Sequence, residues 1–180
     1  MSEPQTPPPD GKDWTWVLDR PCPECGFDAG SIVAADFGRL TRENVAALLA
    51  RIDAPDAAHR PTPQVWSPLE YACHVRDVCR VFGARLGLMR GSTDPLFANW
   101  DQDDTALAER YWEQDAATVR TELAEEAERF AADLDTIAEA ELHRPGRRSN
   151  GSVFTVDTLA RYFLHDLVHH VHDVRASTMT

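Results

Sequence analysis

"RYFLHDLVHHVHDV", residues 161–174, holds four of the chain's seven histidines. Its apolar residues recur at helical spacing, so it reads as the body of an amphipathic helix that starts near Thr155. At about 100° per residue, Val156, Ala160, Phe163, Leu164, Leu167, Val171 and Val174 form one stripe, centred between Phe163 and Leu167. Measured from that centre, His170 lies roughly 65° away and Asp166 roughly 105° away, whereas His165 and His169 lie roughly 155° or more away. The wheel turns the Asp166/His170 pair inward and assigns His165, His169 and His172 to a solvent-facing stripe. Both His165/His169 and Asp166/His170 have the i, i+4 spacing that puts two metal ligands on one helix face.

Working outward, three more amphipathic segments precede this one. The second has the best start signal: "SPLE" offers Ser67 as N-cap, Pro68 at the first helical position and Glu70 to close a capping box. It should run to about Arg90 along a stripe of Leu69, Ala72, Val75, Val78, Cys79, Phe82, Leu86 and Met89. The first is predicted over Ser31 to Asp53, with Ile32, Leu40, Val45, Leu48, Leu49 and Ile52 inward and Gly38 a weak point. The third, Ala116 to Ile137, sets Val119, Leu123, Ala127, Phe130, Leu134 and Ile137 against an acidic face that reads as solvated surface. Four such helices with few strand signals imply an all-α four-helix bundle over residues 31–175. The long connection between helices two and three, Gly91 to Asp115, should hold a short helix near Thr105 to Trp112. It serves either to cover a pocket or as a surface crossover.

Outside the bundle, residues 1–12 are Pro-rich and polar and read as a disordered tail. Residues 13–30 read as an irregular ordered arm carrying a C-x-x-C at Cys22 and Cys25. It has no second C-x-x-C, no H-x-H at finger spacing and no strand-to-helix context. An arm-ordering role is therefore the first expectation, ahead of metal binding and then redox chemistry. Cys79 belongs to an apolar stripe, while Cys73 points about 100° away from its neighbour His74.

A formal net charge of -12 repels phosphate backbones and anionic lipid, so neither nucleic acid nor a membrane surface is an expected partner. No apolar run approaches the roughly 20 residues of a membrane span, and the first residues carry no leader pattern. The chain reads as cytoplasmic, with reduced thiols.

On the second helix, His74 lies about 110° from the stripe centre, at a flank from which it can reach a bundle's central cleft. With Asp166 and His170 it makes three protein ligands and leaves positions open, the pattern of a catalytic metal site. "WSPLEYACHVRDV" and "DLVHHVHDV" resemble the second- and fourth-helix signatures of the DinB-like metalloprotein superfamily, which includes the mycothiol-dependent maleylpyruvate isomerases. The resemblance implies His74 as the ligand eight residues after Trp66, and His170, followed by Asp173, with Asp166 four residues before it. Asp166 stands where the family has Glu or His. A shifted register would instead give His165 and His169 as partners of His74.

The resemblance further implies a divalent ion, zinc first, with nickel, iron or manganese also compatible with His/Asp ligation. It implies a low-molecular-weight thiol, mycothiol or bacillithiol, joined to an electrophilic substrate by an S-transferase or isomerase. Two rivals are kept: a non-catalytic metal-binding or stress-response bundle, and an adaptor built on the C-x-x-C. A homodimer through exposed helix faces is left open.

Overall fold

Ser67 begins the longest helix by satisfying its first free donors. In the computed structural model, which describes Pro7 and residues 13–176, its Oγ accepts from the Glu70 backbone N–H at 3.2 Å. The Glu70 carboxylate returns the bond, accepting from the Ser67 N–H at 2.9 Å. Arg60 completes the corner by donating through Nε to Glu70 Oε2 at 2.8 Å, so a carboxylate only 1 % exposed is paired. Helix α2 then runs from Pro68 to Gly91.

Helix α1 spans Phe37–Ile52, six residues later than the expected start at Ser31. The preceding stretch forms two 3-10 turns, Ala29–Ser31 and Ala34–Asp36, separated by extended backbone at Ile32. Arg161 supplies the reason. Its Nη1 donates to the carbonyls of Ala29 and Ile32, the latter at 2.9 Å. Those oxygens are thereby tied to the last helix rather than to a helix of their own.

Between α2 and the next long helix lie strand β1 (Leu96–Phe97), the short helix α3 (Gln102–Ala108) and a 3-10 turn at Tyr111–Glu113. Helix α4 covers Ala116–Asp135, capped by Asp115, which accepts from the Thr118 N–H at 2.9 Å. Its acidic face is more than solvated surface: Glu128 pairs with Arg42 of α1 at 2.8 Å, and Glu122 with Arg76 of α2 at 2.9 Å. The basic turn before the last helix is a hairpin. Strand β2 (Pro145–Arg148) pairs antiparallel with β3 (Val153–Thr155) and parallel with β1. Gly151 makes the hairpin possible, with φ at +100°. Strands of two to four residues rich in Arg and Pro carry no alternating apolar pattern, which is why none was expected.

Helix α5 runs from Val156 to Ala176. Helices α4 and α5 each pack against both α1 and α2, so α1 and α2 sit diagonally across a four-helix bundle. The apolar stripes read from the sequence meet at its centre, where Phe163 stands edge-on to Phe130 with ring centroids 4.6 Å apart. Gly38 proves to be a contact point. A Cβ there would lie 2.7 Å from the Ala131 carbonyl oxygen of α4, so the two helices can close only over a hydrogen. No described helix is long and apolar enough to cross a membrane. The tail expected over residues 1–12 lies, apart from Pro7, outside the described residues.

Candidate metal centre

His74 comes from the second turn of α2, and Asp166 and His170 from one face of α5. The donor atoms of the three converge within 4.8 Å of one another. His74 Nε2 stands 3.5 Å from Asp166 Oδ2, and His170 Nε2 stands 3.6 Å from Asp166 Oδ1. Neither distance is a good hydrogen bond. Accordingly, Nδ1 and Nε2 of His74 and Oδ2 of Asp166 are buried without a hydrogen-bond partner. Orphaned groups of this kind call for an explanation. Donors held about 2.0–2.2 Å from a tetrahedral ion lie about 3.3–3.6 Å from each other. The donor set and its spacing therefore fit a divalent cation.

The surroundings orient and charge the trio. His170 Nδ1 lies 3.3 Å from Asp173 Oδ2, which places a carboxylate behind the ring and leaves Nε2 facing the cluster. Burial opposes a charge on His170, but Asp166 and Asp173 outweigh it and raise the imidazole to about 9. Burial would raise the Asp166 carboxyl, yet His170 and His74 hold it well below the usual carboxylate range. Burial keeps His74 lowered, with Asp166 only partly opposing. The cluster thus favours a positive charge on His170 beside an ionised Asp166, while His74 is held toward its neutral form.

Aromatic rings wall the site. Trp100 stacks on His74 at 5.6 Å, Trp66 lies 5.5 Å from the same ring, and Tyr71 lies 5.2 Å from His170. Asp166 and His170 form part of the wall of a cavity of about 500 Å³ that Trp14, Asn99, Arg148 and Tyr162 also line, with His74 buried behind them. Asn99 to Asp103 reach it from the long connection after α2, which therefore covers a pocket. Trp100 and Arg148 carry no motif, and only tertiary structure brings them here.

The expectation that His165 and His169 face solvent is corrected. Only His172 of that stripe is exposed; His165 and His169 are 4 % and 8 % exposed. The arm covers them: Trp14 lies 5.4 Å from His165 and 5.0 Å from His169, and Phe27 lies 5.6 Å from His165. A helical wheel has one inside, and the arm gives α5 a second. The donor atoms of Cys22 and Cys25 lie within 4.8 Å of each other and of those of His165 and His169, so this histidine pair meets the cysteines rather than His74. Cys73 and Cys79 are both buried in α2, and neither joins a donor cluster among the described residues.

A family model described as the DinB superfamily matches residues 39–174. Among solved structures, YfiT from Bacillus subtilis, described as a probable metal-dependent hydrolase with an unusual four-helix bundle topology, has a similar fold. The TM-score is 0.73 at 17 % identity, covering 83 % of this chain and 89 % of that one. A search of curated proteins found no match.

Proposed function

The chain belongs to the DinB superfamily, and on that premise we propose that it is a divalent-metal enzyme of small-molecule thiol transfer, with His74, Asp166 and His170 as ligands. The observation that carries this reading is three converging donor side chains 3.5–3.6 Å apart beside the cavity, with the His74 nitrogens and Asp166 Oδ2 buried without hydrogen-bond partners. Three protein ligands leave a position for an exogenous group, whereas a purely structural site would close its shell. A bound cation there favours thiolate over thiol, and the thiolate is the nucleophile.

The protein's own residues do the rest. Asp173 fixes the His170 ring so that Nε2 points inward. Trp66, Trp100 and Tyr71 exclude water from the donors and strengthen every charge interaction among them. Arg148, on the cavity wall, offers a fixed cation to a carboxylate on the thiol or on the electrophile. In the transfer, the thiol proton leaves to solvent, and a carbon–sulfur bond forms as the electrophile's leaving group departs with its electron pair. In an isomerisation the same bond forms by addition and later breaks.

The likeness in fold to YfiT supports a second reading, hydrolysis, in which water takes the thiol's place. A third keeps the same metal in a non-catalytic stress-response bundle. Protein loaded with zinc, nickel, iron or manganese is assayed with mycothiol, bacillithiol and glutathione against aryl halide and unsaturated electrophiles, and with activated esters and amides. Turnover with a thiol, lost in His170→Ala and kept in His172→Ala, supports transfer. Turnover of esters or amides alone moves the assignment to hydrolysis, and none with any substrate moves it to the non-catalytic bundle. In Cys22→Ser/Cys25→Ser protein, loss of metal on adding His165→Ala with retention on adding His170→Ala would overturn the ligand set.

A further inference from the structure

The C-x-x-C of the arm and the outer histidine pair of α5 are distant in sequence and take no part in the centre described above. We infer that Cys22, Cys25, His165 and His169 form a second metal site, a closed Cys2His2 zinc site that pins the arm to α5.

Four observations support it. All four donor atoms lie within 4.8 Å of one another. Cys22 Sγ is 3.8 Å from His169 Nδ1, close to the roughly 3.6 Å between sulfur and nitrogen ligands of a tetrahedral zinc ion. Second, the loop is built to turn both thiols to one side. The Cys22 N–H donates to the Phe27 carbonyl at 2.8 Å, and the Gly26 N–H donates to the Cys22 carbonyl at 2.9 Å. Gly26 closes that turn at a φ of +75°, with nothing within 4 Å of where a Cβ would stand, so glycine is there for its backbone and not for space.

Third, the imidazoles are set up as ligands. His165 Nε2 is buried with no hydrogen-bond partner. His169 presents Nδ1 to Cys22, while its Nε2 lies 3.5 Å from Glu24 Oε2 and 3.8 Å from Asp173 Oδ2. A carboxylate behind the far nitrogen is the usual orienting partner of a zinc-bound histidine. Fourth, the charges balance: two thiolates and two neutral imidazoles around a dication are neutral overall, which suits a cluster with three buried members of four. A Cys22–Cys25 disulfide would leave the histidine geometry without a cause.

With four protein ligands the shell is full, so the site is structural. Trp14, on the same arm, lies against both histidines and lines the catalytic cavity, so the clamp holds one wall of that cavity.

The test is anaerobic titration of the reduced, metal-free full chain with cobalt(II), followed by zinc. One equivalent should give an intense near-ultraviolet thiolate-to-cobalt band with visible tetrahedral bands, and zinc should abolish both. The His74 centre has no sulfur ligand and contributes no such band. The band should persist in His74→Ala and vanish in Cys25→Ser and in His165→Ala, while each of these two variants still binds about one equivalent of cobalt. Absence of the band in the unmodified chain, which needs no variant to fold, overturns the site. So does its survival in Cys22→Ser/Cys25→Ser, or protein from zinc-supplemented medium that carries no metal and a mass two hydrogens low.

Discussion

His169 and His170, adjacent in sequence, stand with ring centroids 6.0 Å apart and planes at 85°, and turn toward different clusters. One carboxylate oxygen lies behind both: Asp173 Oδ2 is 3.3 Å from His170 Nδ1 and 3.8 Å from His169 Nε2. The two proposed centres thus share an orienting group although they share no proposed ligand.

Asp173→Asn should therefore weaken both centres at once. An amide in that position cannot balance an imidazole N–H as a carboxylate does, and loss of such a partner lowers metal affinity about 10- to 100-fold. Chelator competition, with cobalt absorption separating the two centres, reads this. The larger loss is expected at the His74 centre, where the contact is shorter. The exposed His172→Ala should change neither.

Metal uptake at the His74 centre should release protons. His170, raised to about 9, carries a proton at neutral pH that an incoming ion must displace. Because the proton competes below that value, apparent zinc affinity should rise about tenfold per pH unit between about 7 and 9 and then level off. Calorimetry in buffers of different ionisation enthalpy, on Cys22→Ser/Cys25→Ser protein, should count about one proton per ion. A flat affinity across this range would show that His170 is already neutral.

Arg60→Ala should be strongly destabilising although it touches neither centre. Glu70 is 1 % exposed and would keep its capping bond to Ser67 while losing the Arg60 guanidinium that pairs with it. Breaking a buried pair from one side costs about 3–5 kcal/mol. Urea denaturation should show the loss, and because this corner sets the start of α2, the His74 centre should bind metal less tightly in the same variant.

Two glycines should respond in opposite directions. Gly38→Ala would push a methyl to 2.7 Å from the Ala131 carbonyl oxygen and should cost about 1–3 kcal/mol through separation of α1 and α4. Gly87, within α2 and with open space at its Cβ position, should gain up to about 1 kcal/mol from alanine. Thermal melts of the pair separate close approach from helix propensity.

The legible parts of this protein are those whose cause is local. Ser67, Pro68 and Glu70 announce the start of α2 within four residues, and the cap they form is the one observed. The stripe from Val156 to Val174 is periodic enough to orient α5, and His170 and Asp166 stand beside His74 as that orientation implies. Illegible parts have causes far away in the chain. The start of α1 moved because Arg161 captures carbonyls about 130 residues earlier. The wheel faces His165 and His169 to solvent because nothing near them in sequence shows that Trp14 and Phe27 fold over them. Finger spacings look for partners close to a C-x-x-C in sequence, whereas the histidines that lie beside this one are on a helix about 140 residues on.

That separation also has a consequence in time. Cys22 and His169 are 147 residues apart, and α5 follows every other described element. At the usual 5–20 residues per second of synthesis, the two thiols are made roughly 7 to 30 s before the two histidines. During that interval the arm has no surface to dock on, and its cysteines depend on the reducing capacity of their surroundings. Metallation of either centre is consequently a late event, and a chain that stalls before α5 can complete neither.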